Sequence, residues 1–168
     1  GSEILLATIA IYEFRLALHR EVTVELARRS LASGNLLASS PAFLYAVVTL
    51  FRSGLLDEAV PIFNQAIAQA RRRGDIFNLA FLLTWCGVCQ TERGDLRAAV
   101  ADLREAIELS VAHGTRLNWS YNIGFLAYAL LEQGDADEAA RVIDEGGFPE
   151  ELPLDQVHLV WFRLHRAR

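Results

Sequence analysis

Two cysteines in this sequence are spaced as in a known catalytic centre. Cys86 and Cys89 lie in the stretch TWCGVCQ, residues 84–90, and Trp-Cys-Gly-x-Cys is the spelling of a thioredoxin-type redox centre. Such a centre needs its first cysteine at the N-terminus of a helix that follows a strand, where the helix dipole and free amides lower the thiol pKa. The element that carries Cys86 therefore decides between a disulfide oxidoreductase and a structural role.

The elements follow from a regular spacing of glycine, which recurs every twenty residues at positions 34, 54, 74, 94, 114 and 134. Between these glycines the apolar residues return every three or four positions, as in amphipathic helices. Glycine is favoured just past a helix end, where the backbone is left-handed. Asp75, Asp95 and Asp135 directly follow three of the glycines and are predicted N-caps. We therefore predict helices of about 18 residues joined by short turns, which makes neighbouring helices antiparallel.

Two successive helices form a larger unit of about forty residues, which becomes visible when Gly54, Gly94 and Gly134 are aligned. Small residues then coincide with small ones and large apolar residues with large ones. The matched sets are Ala59, Ala99 and Ala139; Phe63, Leu103 and Ile143; Phe43, Leu83 and Ile123; and Val47, Gly87 and Ala127. This pattern resembles the tetratricopeptide repeat, in which small residues mark close helix crossings. The resemblance implies an all-α fold, a right-handed superhelical solenoid of antiparallel TPR-like helix pairs with repeats of about 40 residues.

The predicted organisation is a single repeat domain over residues 1–168. Residues 1–39 form a divergent first helix pair, residues 40–74, 75–114 and 115–146 form three repeats, and residues 147–168 form a loop and a terminal helix. The chain contains no Met. We therefore expect it to be a segment of a longer protein.

This organisation favours a structural role for Cys86. The residue falls near the middle of a helix predicted over residues 76–92, and Gly87 occupies a small-residue position of the repeat. Two cysteines alone do not make a zinc site, which needs four ligands, and the four histidines are scattered. No phosphate loop, dinucleotide fingerprint or nucleophile motif is present. We expect no enzyme activity, no metal and no cofactor.

Composition narrows the partners and the compartment. The formal net charge of -5 offers no basic surface for nucleic acid or anionic lipid. The longest apolar runs are too short to cross a membrane. Two cysteines in 168 residues fit a reducing cytoplasm better than a secreted disulfide framework. We expect a cytoplasmic protein that contacts neither nucleic acid nor membrane.

The concave side of such a solenoid, lined by the first helix of each pair, is its usual docking surface. Aromatic rings mixed with amides suit a small organic molecule or a peptide segment. The candidate binding residues are Asn78, Phe81, Thr84, Asn118, Tyr121, Asn122 and Tyr128. The alternative is that Phe81 and Tyr121 only pack against the next helix. Self-association into a homo-oligomer is also compatible with an open-ended array.

A family resemblance adds to this interpretation. The stretches are ELARRSLASGNLLA, LDEAVPIFNQAIAQARRRGD, GDLRAAVADLREAIELSVAHG and LAYALLEQGDADEAARVIDEGGFPEELP. In this order they resemble the helical-repeat region of the large ATP-binding LuxR-type (maltose-regulator-like) bacterial transcriptional regulators. The resemblance implies a non-catalytic sensor or docking domain that binds an inducer or a protein segment and contacts the neighbouring domains of the regulator. It carries over no catalytic or DNA-contacting residue.

Two alternatives stay open from the sequence. One is a general protein-interaction scaffold of the tetratricopeptide type from another multidomain protein, which would bind a peptide. The other is a redox protein that uses Cys86 and Cys89, and burial of both thiols would argue against it.

Overall fold

The computed structural model describes residues 16–33, 39–114 and 119–147, and these residues form helices and turns without a strand. The predicted all-α class is therefore confirmed over this part of the chain. The helices are α1 (Leu16–Ala32), α2 (Pro41–Arg52), α3 (Leu56–Arg73), α4 (Ile76–Arg93), α5 (Leu96–Ala112), α6 (Trp119–Gln133) and α7 (Ala136–Glu145). The predicted terminal helix after residue 153 and the first predicted helix before residue 16 lie outside the described residues.

The helix ends repeat one backbone motif. The amide of Asp75 donates to the carbonyl of Ala70, the amide of Asp95 to Gln90, and the amide of Asp135 to Leu130, at 3.1, 2.9 and 2.9 Å. Each of these bonds spans five residues across a glycine with a left-handed backbone, with φ of 66° at position 74, 87° at 94 and 89° at 134. A residue with a Cβ is strained in this conformation, so glycine closes each helix and lets the next one begin two residues later. The predicted role of these glycines is confirmed.

The helix starts show the predicted caps, with one difference. The Asp75 carboxylate accepts from the amide of Asn78 at 3.2 Å. In the same way, the Asp135 carboxylate accepts from the amide of Glu138 at 3.2 Å. Asp95 occupies the N-cap of α5 but its side chain caps no amide. The predicted capping contact is wrong at this position because the Asp95 carboxylate is paired instead with the guanidinium of Arg93, whose Nε lies 2.6 Å away.

The chain divides into two compact units between Asn78 and Leu79, in the first turn of α4. In the first unit, Phe43, Leu50 and Phe63 are buried in the core. On its surface Arg28 of α1 donates to the carboxylate of Glu58 of α3, with Nη2 and Oε1 2.5 Å apart. This contact links α1 to α3. The prediction of one repeat domain over residues 1–168 stays a prediction.

The second unit contains the rest of α4 and helices α5 to α7. Its fully buried side chains include Leu82, Leu83, Leu103 and Leu130. Arg104 of α5 donates to the Glu138 carboxylate of α7 at 2.7 Å, and the Trp119 indole of α6 donates to the Gly146 carbonyl at 2.8 Å. None of the described helices is both long enough and apolar enough to cross a membrane.

Candidate functional site

The two cysteines lie in the body of α4, as predicted. Neither forms a disulfide, and both residues are 0% exposed. Burial raises the pKa of the Cys86 thiol well above its ordinary range, and the nearby Asp102 carboxylate raises it further. Thioredoxin-type chemistry needs the opposite, an exposed sulfur with a lowered pKa. The geometry therefore favours packing as the role of TWCGVCQ.

Gly87 is explained by the crossing of α4 and α5. A Cβ built on Gly87 would lie 2.6 Å from Cγ of Leu103 and 3.2 Å from the carbonyl oxygen of Ala99. Leu103 is fully buried, and the shorter distance involves the branch point of its side chain rather than a mobile end. Gly87 is thus needed for the close packing of α4 against α5.

The contact between α4 and α6 contains a buried pair of polar side chains. Thr84 is 2% exposed and Asn122 is 0% exposed. The Thr84 hydroxyl lies 2.6 Å from Oδ1 of Asn122 and 2.8 Å from the carbonyl oxygen of Ala80. The Thr84 hydroxyl has a single proton, so the two acceptors share it in a bifurcated hydrogen bond.

The Asn122 amide is only partly satisfied by this contact. Its Nδ2 group is buried and has no hydrogen-bond partner among the described residues. A buried donor without a partner costs about 1–3 kcal/mol, which is comparable to the gain from a neutral hydrogen bond. The polar pair therefore contributes specificity to the α4–α6 contact more than it contributes net stability.

Aromatic residues are the sequence neighbours of this polar pair, since Trp85 follows Thr84 and Tyr121 precedes Asn122. The rings of Trp85 and Phe125 lie 6.3 Å apart at an angle of 52°, and those of Tyr121 and Phe125 lie 5.9 Å apart at 24°. Phe125 is buried, whereas Trp85 and Tyr121 are half-buried. Partial burial also raises the pKa of the Tyr121 phenol, so its hydroxyl stays neutral and able to donate at physiological pH.

Two more rings extend this surface along the same helices. Phe81 precedes Trp85 by four residues on α4, and Tyr128 follows Phe125 by three on α6, so each shares a helix face with its neighbour. Both are half-buried. We name the surface formed by Phe81, Trp85, Tyr121, Phe125 and Tyr128 the aromatic face. It presents ring surface to solvent over a buried floor, which an apolar or aromatic ligand group can cover.

The predicted binding residues fall into three groups. Phe81, Tyr121 and Tyr128 belong to the aromatic face, and Thr84 and Asn122 are buried and bond to each other between the same two helices. Asn78 lies in the first unit, where its backbone amide is bonded to Asp75, and Asn118 lies outside the described residues. That these residues contact a ligand stays a prediction.

Sequence reasoning missed Trp85 and Phe125 as members of this surface. Neither residue is among the candidate binding residues predicted from the sequence. The signal was available in the spacing, since each lies four residues after a predicted site residue, Phe81 or Tyr121. What the spacing alone does not give is the ring contact between them, which joins residues of two different helices.

No other constellation with chemistry emerges in the part of the chain that the structure describes. Within residues 16–33, 39–114 and 119–147, no group of three His, Cys, Asp or Glu side chains is placed to hold a metal ion. Comparison with known proteins finds no matching family model and no matching curated protein. The functional interpretation therefore rests on the residues of this chain.

Proposed function

We propose that this chain is a tetratricopeptide-like solenoid that binds a ligand or a protein segment on the first helices of its pairs. Support comes from repeat-equivalent positions that share the same environment. Ala59, Ala99 and Ala139 are all buried, although they lie forty residues apart. Val47, Gly87 and Ala127, on the preceding helices, are buried as well. Equal burial at equal repeat positions is what stacked helix pairs require.

The observation that carries the binding role is the aromatic face of the second unit. Trp85 and Tyr121 remain half-exposed although both contact the buried ring of Phe125. Large aromatic side chains bury much surface at interfaces and at small-molecule sites, and they dominate binding energy there. Partly exposed rings that contact a buried ring therefore support a sensor or docking role.

The wider biological role proposed is that of the sensor or docking segment of a cytoplasmic LuxR-type transcriptional regulator. This part of the proposal rests on the family resemblance of the repeat stretches. Its test is the complete reading frame, which should encode a nucleotide-binding module before the repeats and a helix-turn-helix after them. A frame without the nucleotide-binding module would contradict this assignment and favour a general interaction scaffold.

Binding itself is tested by thermal denaturation of the 168-residue chain in the presence of small metabolites and short peptides. A ligand that binds only the native state raises the melting temperature by mass action. The variant Tyr121→Ala removes one ring of the aromatic face. The matched control Val111→Ala truncates an exposed side chain on α5, which is 63% exposed.

A shift that Tyr121→Ala abolishes and Val111→Ala retains would support a binding site on the aromatic face. A shift that both variants retain would place the ligand elsewhere and contradict the site. If no compound or peptide gave a shift, the sensor role would be contradicted, and a scaffold that contacts another folded domain would be favoured.

A further inference from the structure

We propose that the aromatic face binds a peptide segment that carries an arginine, and that Glu92 and Glu132 hold the guanidinium group. The inference rests on the proposed peptide-binding function and specifies its partner. It is carried by the position of the two carboxylates relative to the rings, by the charge around them, and by the length of the combined surface.

The two glutamates continue the aromatic face along both helices. Glu92 follows Trp85 by seven residues on α4, and Glu132 follows Phe125 by seven on α6. Seven residues are close to two turns of a helix, so each carboxylate lies on the same helix face as the ring that precedes it. Because Trp85 and Phe125 are in contact, the two faces adjoin at these rings, and each glutamate is exposed next to the last residue of its own helix.

The surroundings make this end of the surface negative. From Leu79 to Arg93 and from Trp119 to Gln133, the sequence contains two acids, Glu92 and Glu132, and a single base, Arg93. The Arg93 guanidinium is already engaged with the Asp95 carboxylate through Nε at 2.6 Å. The chain as a whole carries a formal charge of -5. A cationic partner would therefore meet two carboxylates and little competing positive charge.

Arginine fits both parts of this surface. Its planar guanidinium binds carboxylates through two parallel hydrogen bonds, and it also stacks on aromatic rings. The negative faces of half-exposed rings such as Tyr128, one turn before Glu132, attract the same cation. A lysine ammonium would provide charge without the stacking and the fork geometry.

The length of the surface indicates a peptide rather than a free cation. From Phe81 to Glu92 the rise along α4 is about 16 Å. A chain in extended conformation covers this distance with about five residues. A peptide of this length can cover the rings at one end with an apolar side chain and place its arginine between the glutamates at the other.

The test is calorimetric titration of the 168-residue chain with blocked heptapeptides in which Phe and Arg are separated by three alanines, in both chain directions. Matched peptides carry citrulline, which has the shape of arginine without its charge, or Glu. N-acetyl-arginine methylamide serves as the small-cation probe. We expect one arginine peptide to bind about tenfold tighter than its citrulline counterpart, the size of effect that a stacked and paired guanidinium supports.

Two variants test which residues cause the preference for the arginine peptide over the citrulline peptide. The double variant Glu92→Gln with Glu132→Gln should remove the advantage of arginine over citrulline, whereas Glu108→Gln, an exposed glutamate on α5, should leave it unchanged. Circular dichroism melts of all variants check that the fold is retained. Loss of the advantage in Glu108→Gln, or its persistence in the double variant, would overturn the assignment to Glu92 and Glu132.

The outcomes separate this inference from the proposed function. Equal or tighter binding of the citrulline or Glu peptide would overturn the arginine preference and leave a binding role for the aromatic face intact. Binding of the small-cation probe as tight as that of the peptide would overturn the peptide as partner. If no peptide bound but a metabolite gave a shift in the melting temperature that depended on Tyr121, the inference alone would fail. If neither the calorimetric titration nor the thermal denaturation detected binding, both this inference and the proposed binding function would be contradicted.

Discussion

Helix α4 has two sides in the second unit, and they are built differently. Toward α5 it presents Cys86, whose buried thiol lies near the Asp102 carboxylate, and Gly87, which lies so close to Ala99 and Leu103 that no room is left for one more carbon atom. Toward α6 it presents a threonine bonded to an asparagine whose amide nitrogen has no partner among the described residues. Half-exposed rings lie beside this polar pair. We call the densely packed side that faces α5 the closed side. We call the side that faces α6, with its unsatisfied amide and partly exposed rings, the open side.

The difference shows where a repeat protein can place its function. Positions that set the crossing of two helices are constrained by volume, so they tolerate only small or well-matched apolar side chains. Positions on the other side can carry polar groups and rings whose burial is partial. Gly87 of the Trp-Cys-Gly-x-Cys motif lies on the closed side, whereas the features that suit binding lie on the open side.

The largest effect is expected from adding one methyl group to the closed side. Gly87→Ala should lower the free energy of unfolding by about 2 kcal/mol, because the overpacking cost exceeds the gain in helix propensity from Gly to Ala of about 1 kcal/mol. Leu103 must move, since the new Cβ would lie 2.6 Å from its Cγ. Urea denaturation of the variant measures the change.

A second substitution tests the cause of this loss. In a Leu103→Ala background the obstructing side chain is absent, so adding Gly87→Ala should cost little or should stabilise the chain. Additive losses in the double variant would show that the two residues are uncoupled and would contradict the close crossing.

A smaller loss is expected on the open side. Thr84→Val keeps the shape of the side chain but removes the hydroxyl that donates toward Asn122, so that the buried amide is left without this partner. Leaving the amide oxygen of Asn122 unpaired should cost about 1 kcal/mol, at the lower end of the range for a buried polar group, whereas Thr84→Val combined with Asn122→Leu should recover most of that loss. Equilibrium unfolding in urea of the two single variants and the double variant measures the coupling. Equal stability of Thr84→Val and the unmodified chain would show that the polar pair is not formed.

Much of the closed side could be predicted from the sequence. The spacing of Gly54, Gly94 and Gly134 fixes where helices end, because a left-handed backbone is a local requirement that glycine meets. The body position of Cys86 in α4 follows from the same spacing. Gly87 was placed at a crossing because its repeat counterparts Val47 and Ala127 are apolar and Ala127 is small.

The open side could be predicted only in part. Phe81, Tyr121 and Tyr128 were identified from helical spacing, but the bond between Thr84 and Asn122 joins residues 38 positions apart and depends on the separation of two helices. The same limit applies at Asp95, whose carboxylate has two nearby partners, the helix amides and Arg93. Composition and period give the candidates for a contact, while the choice among them depends on distances that no local pattern contains.

A pH titration distinguishes the two sides further. The raised pKa of Cys86 means that the folded chain keeps this thiol protonated at a pH where the unfolded chain, with a thiol pKa of about 8.5, loses the proton. The stabilising contribution is complete below that value and is lost as the pH rises above it, at up to about 1.4 kcal/mol per pH unit.

The prediction is that unfolding measured in urea between pH 8 and pH 10 shows a steeper loss of stability for the unmodified chain than for Cys86→Ala. The comparison between the two chains removes the contribution of other groups that titrate in this range, including Tyr121. Parallel pH profiles would mean that the thiol is accessible to ionise in the folded state, and the closed side would then have to be open to water.

The smallest effect is expected from an ion pair that belongs to neither side of α4. Glu138 on α7 accepts from Arg141 and from Arg104, with bonds of 2.5 and 2.7 Å, and the Arg141 hydrogen bond is the main reason that the pKa of this carboxyl is lowered. A lowered pKa contributes stability above the unfolded value of about 4.3 and loses it as the pH falls through the folded value. Because the pair is open to solvent, water and salt screen it. Glu138→Gln should therefore destabilise the chain less than any of the substitutions above at pH 7, and by less at pH 2.5 than at pH 7, with Glu108→Gln as the matched control. A loss as large as that of Gly87→Ala would show that this surface contact between α5 and α7 holds the second unit together more than the closed crossing does.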